Sequence, residues 1–182
     1  LLLCILLLAS CTGASEKRSR VLKVYNWADY IDEEVLAEFP VWYKEQTGED
    51  IRIIYQVFDI NEIMLTKIER GQEDFDLVCP SEYIIERMLK KDLLVPINRN
   101  FGKTPDYIPN ISPYIQKELE KISQPGRHTN DYVVPYMWGT AGILYNKKFK
   151  TLEEVSSWGC LWDAVNRGKI LMKDSYRDAY GT

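Results

Sequence analysis

From Val21 onward, short runs of β-branched and aromatic residues alternate with stretches whose apolar residues recur at helical spacing. No other feature of the chain limits its fold as much. Parallel strands cannot be joined by a tight turn and need a crossover, usually a helix, so strand, helix and strand in repeated order predict a parallel sheet in an α/β fold. The runs Val21 to Asn26, Ile51 to Phe58 and Phe75 to Cys79 are the expected strands. Asp32 is placed to cap a helix with Val35, Leu36 and Phe39 on one face and acidic residues in its first turn. Pro40 should kink or end that helix, with Trp42 and Tyr43 resuming it as far as Gly48. Asp59 and Asn61 are candidate caps for a second helix carrying Ile63, Met64, Lys67 and Ile68 and closed by Gly71. Ser81 can cap a third, running through Ile84, Ile85 and Met88.

Later signals are weaker. Residues 96–130 carry several Pro, Gly and Asn and predict an irregular connection with a short helix near Ile115 to Lys121. Tyr132 to Trp138 and Gly142 to Tyr145 suggest two strands or one bent at Gly139. A helix near Leu152 to Val165 and a strand at Ile170 to Met172 are expected to follow, and no internal repeat is visible.

The first ten residues are apolar up to Ser10, about half of the ~20 residues that a spanning helix needs. They have the character of a signal-peptide core already cut at its front, since the chain opens on Leu1. Leu8-Ala9-Ser10-Cys11 resembles a bacterial lipobox, which implies lipidation of Cys11. Thr12 to Arg20 is then a polar tether. The chain stops at Thr182 just after a helix-starting stretch, so the back end is expected to be cut as well.

Composition narrows the function classes. Nearly half of the residues are apolar, enough to bury a core. The net charge is -4 with basic residues scattered, which argues against nucleic acid. His128 is the single histidine, and no Cys pair has ligand spacing, so neither a zinc site nor a Ser-His-Asp arrangement is expected. Cys79 and Cys160 read as small buried hydrophobes.

Ligands of open α/β sheets bind beyond the carboxyl ends of the strands. Those ends carry Trp27-Ala28-Asp29-Tyr30, Pro80-Ser81-Glu82-Tyr83 and Lys173 to Asp178, each aromatic, hydroxylic and acidic. At these residues the chain resembles the spermidine/putrescine-binding proteins of ABC importers. The resembling blocks are Val24 to Ile31, Asp76 to Ile85, Pro135 to Asn146, Ser157 to Trp162 and Asp174 to Asp178.

The resemblance implies the type II periplasmic binding protein fold, two α/β lobes joined by a hinge. Residues 21–138 would form the first lobe, and 139–182 the hinge crossing and the start of the second. It further implies a receptor that needs no cofactor and delivers a polyamine to permease subunits. Export to the periplasmic side and attachment to the membrane by the lipid alone rest on Leu8 to Cys11, and a monomer is expected. Trp27 and Tyr30 would pack on the methylenes, Asp29 would face an ammonium, and Ser81 and Tyr83 would line the same side. Asp178 would pair with an amine. Ser175 stands where some members have a further Asp, which leaves spermidine and putrescine both open.

The chemistry suits such a ligand. An ammonium over Trp or Tyr gains roughly 0.5 to 2 kcal/mol, and a charge-assisted hydrogen bond to a carboxylate about 1.5 to 3 kcal/mol. Helix N-termini at the same rim favour anions by only ~0.3 to 1 kcal/mol each at exposed positions. Carboxylates at Asp29, Glu82 and Asp178 can reverse that sign, whereas Arg177 keeps an anion in view. Receptors of the same fold for an anion, a metal ion or another amine therefore remain alternatives. So does an enzyme with Cys79 as nucleophile, although no activating base is identifiable beside it.

Overall fold

The computed structural model of the protein describes residues 17–71 and 73–181, with the backbone alone at Asp178. The expected export segment, the lipidation site at Cys11 and the tether up to residue 16 lie outside the described residues. Three strands, β1 (Val21–Trp27), β2 (Arg52–Phe58) and β3 (Leu77–Val78), form one parallel sheet in the order β2-β1-β3. β1 pairs with β2 from Val21 opposite Arg52 to Trp27 opposite Phe58. Only Val24 and Tyr25 pair with β3, but the Asp76 N–H donates to the Lys23 carbonyl and the Cys79 N–H to the Tyr25 carbonyl, so the contact outruns the two-residue strand.

Three helices connect and follow these strands: α1 (Glu33–Thr47), α2 (Asn61–Glu69) and α3 (Glu82–Lys90). α1 starts where Asp32 accepts the Glu34 N–H at 3.0 Å and ends at Gly48, whose φ of 79° lets its N–H return to the Lys44 carbonyl. Pro40 neither ends nor divides it. The ring removes one backbone donor, and the helix continues on the bonds around it, with Phe39 against Trp42 and Tyr43 at 5.6 and 5.9 Å. Val35 is exposed, so the inward face is narrower than expected.

The core forms where α2 and α3 cover the sheet. Tyr25, Phe58, Met64, Leu65, Ile84 and Met88 are buried together, with Trp27, Phe75, Val78 and Tyr83 against them. Tyr25 meets Phe58 edge-on at 5.0 Å and stacks on Phe75 at 4.5 Å. On α2 Met64 is buried and Ile68 packs against the core as expected, Asn61 and Leu65 are buried with them, and Ile63 is exposed. α3 buries Ile84, Ile85, Met88 and Leu89 at helical spacing. Arg18, just ahead of β1, is docked and not simply polar. Arg18 donates to Asp74 at 2.6 Å, to Asp76 at 3.0 Å and to the Val21 carbonyl at 2.7 Å.

The chain divides into two compact units, one ending at Tyr136 and the other beginning at Met137. In the first, α4 (Pro113–Glu120) supplies the expected short helix. The expected strands at 132–138, 142–145 and 170–172 do not appear. β-branched composition supplies a preference, but a strand also needs a neighbouring backbone for its ladder, and no ladder is made there among the described residues. The expected helix at 152–165 is instead three 3-10 turns, Glu153–Val155, Trp158–Trp162 and Ala164–Asn166. Ser157 is extended and takes the Gly159 N–H on its hydroxyl, an alternative to continuing a helix. The chain then forms α5 (Tyr176–Tyr180).

Candidate functional site

The carboxyl ends of β1, β2 and β3 bring their loops to one end of the sheet. Trp27, the last residue of β1, lies on Phe58 of β2 with centroids 4.5 Å apart. Its N–H donates to the Asn26 side chain at 2.8 Å, and Tyr55 reaches its carbonyl at 3.4 Å. The chain then turns through Asp29, whose φ of 59° is left-handed. Asp tolerates that region better than most residues, and the turn sends its carboxylate outward, where it is exposed. Tyr30 follows, with its ring 6.1 Å from that of Trp27 and its carbonyl accepting the Tyr136 hydroxyl.

A second corner is built from α2 and the start of α3. Asn61, 2% exposed, donates to the Ser81 hydroxyl at 2.9 Å and to the Tyr83 hydroxyl at 3.0 Å. It also accepts the Ser81 N–H at 3.2 Å. Tyr83 in turn donates to the Glu62 carboxylate at 3.1 Å. Ser81 does stand at the N-cap position of α3, but its side chain makes no capping bond. Neither Asp59 nor Asn61 caps α2, because Ile60 occupies that position. Burying Asn61 requires partners for its amide, and Ser81 and Tyr83 provide them.

Burial pushes the Tyr55 and Tyr136 phenols up, with a hydrogen bond to Asn26 opposing it in each case. Burial also pushes the Cys79 thiol up, the opposite of what a nucleophilic thiolate needs. Among the described residues no group of three His, Cys, Asp or Glu could hold a metal ion.

Of the residues expected from sequence, Trp27, Asp29 and Tyr30 share one turn, and Ser81 and Tyr83 share the Asn61 corner. Glu82 is exposed in the first turn of α3. Ser175 and Asp178 belong to the second unit. Ser175 is half-buried just ahead of α5, its carbonyl accepting the Ala179 N–H at 2.8 Å, and Asp178 lies within that helix. Sequence reasoning missed Asn61 and Glu62 as parts of the site. Their position directly after the carboxyl end of β2 was the available signal.

No protein-family model matches the chain. Among curated proteins it is 34% identical over 169 residues to the putrescine-binding periplasmic protein PotF of Escherichia coli, covering 90% of this chain and 42% of that one. It is 32% identical to the putrescine-binding periplasmic protein SpuD of Pseudomonas aeruginosa, covering 93% and 44%. The chain thus spans less than half the length of these relatives. Among solved structures, a Listeria monocytogenes protein assigned as a spermidine/putrescine ABC transporter superposes with a TM-score of 0.60 at 35% identity, over 79% of this chain and 40% of that one. The substrate-binding protein PotD of Streptococcus pneumoniae does so with 0.52 at 38%, over 66% and 32%. The parallel sheet with flanking helices matches the type II periplasmic binding protein fold of these structures.

Proposed function

We propose, from matches that point to the bacterial spermidine/putrescine periplasmic binding proteins of the type II superfamily, that this chain supplies one wall of a polyamine site in a solute receptor feeding an ABC permease. One observation carries the reading beyond resemblance. At one end of the sheet a pair of aromatic rings, Trp27 and Tyr30, accompanies an exposed carboxylate at Asp29 and a second carboxylate at Glu62. A chain of methylenes with ammonium groups needs flat apolar walls and negative charge at intervals, and these side chains are of that kind.

In this reading Trp27 and Tyr30 pack on methylenes, Asp29 faces an ammonium, and Ser81 and Tyr83 line the wall. Ser175 and Asp178 are further ligand residues in the same reading. Binding involves no covalent step. The relatives named above are binding and transport proteins by name, and burial pushes the Cys79 thiol up, away from the thiolate that a nucleophile needs. Export with lipidation at Cys11 would hold a monomeric receptor at the periplasmic side of the membrane.

Calorimetry of the intact protein with putrescine, spermidine, arginine and lysine tests the reading. Heat from at least one polyamine and none from the amino acids is expected; silence toward both polyamines refutes it. Mass spectrometry of the membrane fraction after expression in a bacterial host tests the anchor. A diacylglyceryl mass on Cys11 is expected, and an unmodified residue refutes the lipid assignment.

A further inference from the structure

The register of the sheet puts Asn26 and Tyr55 on one face and the core residues Tyr25, Trp27 and Phe58 on the other, since Val24 stands opposite Tyr55 and Trp27 opposite Phe58. Asn26 is the penultimate residue of β1 and only 3% exposed. A buried amide needs partners for both of its ends. The Trp27 N–H can only donate, so the Asn26 atom that meets it at 2.8 Å is the amide oxygen. The amide nitrogen is then the end that meets the phenols of Tyr55 and Tyr136, both of which are hydrogen-bonded to Asn26. In each phenol that bond opposes the upward push of burial, as a bond that the phenol accepts should, because it favours the phenolate.

Each phenol keeps its own hydrogen for a backbone carbonyl. Tyr55 donates to the Trp27 carbonyl at 3.4 Å, and Tyr136 donates to the Tyr30 carbonyl. Those carbonyls stand at the start and the end of the turn in which Asp29 has φ of 59°. One buried amide thus orders two hydroxyls, and the hydroxyls hold both ends of the turn. Tyr136 comes from a run of strand composition that makes no ladder among the described residues, and its hydroxyl is what ties that run to the turn. It is also the last residue of the first compact unit, so the whole clamp lies within that unit.

We propose that Tyr136 is a positioning residue of the ligand site: by holding the Tyr30 carbonyl, with Asn26 and Tyr55 at the other end of the turn, it fixes where Asp29 and the two rings are presented to a polyamine. The assignment rests on the polyamine reading above. Tyr136 acts through the turn and not by touching the ligand.

Tyr136→Phe in the intact protein removes the hydroxyl alone, and because the ring is half exposed the change opens no void. Putrescine should bind about three- to tenfold more weakly in calorimetry, the size of one hydrogen bond. Amide exchange without ligand should quicken over residues 27–31, which include the Trp27 N–H that Asn26 holds, and stay unchanged in α2 and α3. Tyr55→Phe loosens the other end of the turn through a longer bond and should give the same pattern with a loss of about twofold. It carries the test if Tyr136→Phe does not fold. Weaker binding with unchanged exchange at the turn would make Tyr136 a direct contact and overturn the assignment. Quickened exchange throughout α2 and α3, the mark of general support for the fold, would overturn it too. Full affinity in the Tyr136→Phe protein overturns it while leaving the polyamine reading intact. Silence of the unsubstituted protein toward putrescine and spermidine overturns both.

Discussion

Trp27 and Tyr30 lie with ring centroids 6.1 Å apart and planes inclined by 38°, on either side of a turn in which Asp29 has φ of 59°. The spacing of the aromatic pair therefore depends on a backbone conformation that few side chains accept. Asn tolerates it almost as well as Asp and carries no charge. Asp29→Asn should leave the melting temperature unchanged while weakening putrescine about three- to tenfold, the size of one charge-assisted bond exchanged for a neutral one. Asp29→Val should lower stability by about 1 to 2 kcal/mol through left-handed strain. Calorimetry and thermal melts of the two variants check this, and a gain in affinity in the Asn variant would favour an anionic ligand.

Met64 of α2 is fully buried in the core against which Trp27 and Tyr83 pack. Truncation removes its transfer energy and leaves a void in a region that cannot readily collapse. Met64→Ala should cost about 2 to 5 kcal/mol. The urea midpoint should fall with little change in slope. An unchanged midpoint would show that this core does not carry the stability of the unit.

Asp74 is held below the usual carboxylate range by hydrogen bonds from Lys23 and Arg18. A carboxyl whose folded value is depressed stabilises the fold at pH above its unfolded value, near 4, and loses that contribution as the pH falls through the folded value. The unfolding midpoint of the unsubstituted protein should therefore drop more steeply below about pH 4 than that of Asp74→Asn. Asp74 and Arg18 are both well exposed, so added salt should shrink the difference. Parallel acid limbs at low salt would refute the role.

Cys79 is half-buried and its thiol is pushed up by burial. A thiol reagent at neutral pH should label it much more slowly than it labels the urea-unfolded chain. Labelling at the unfolded rate would revive the nucleophile alternative.

The parallel sheet and its three helices were legible because their signals are local: period, caps and the left-handed Gly48 are written in neighbouring residues. Asp32 caps α1 as its position suggests, and α3 buries the stripe that its spacing predicts. The failures share a cause in longer-range structure. Pro40 should disrupt a helix by local rules, yet α1 absorbs it. The run Tyr132 to Trp138 has strand composition but no neighbouring ladder among the described residues. In the site, aromatic and acidic residues at strand ends were visible as types. Asn61 looked like a cap, since Asn before a helix usually is one, and only the packing of α2 against α3 turns it inward to Ser81 and Tyr83.

The clamp at Arg18 has a mechanical consequence. β1 runs about seven residues, roughly 20 Å, from Val21 to Trp27, and its two neighbours run parallel to it. Tension applied through the chain ahead of Lys17 would load Arg18 first, and its bonds to Asp74 and Asp76 would share that load with the segment leading into β3. The remainder would be resisted in shear by the ladder along β1, where many bonds must yield together. Load entering at Arg18 would thus be taken up before it reached the turn that sets the two rings.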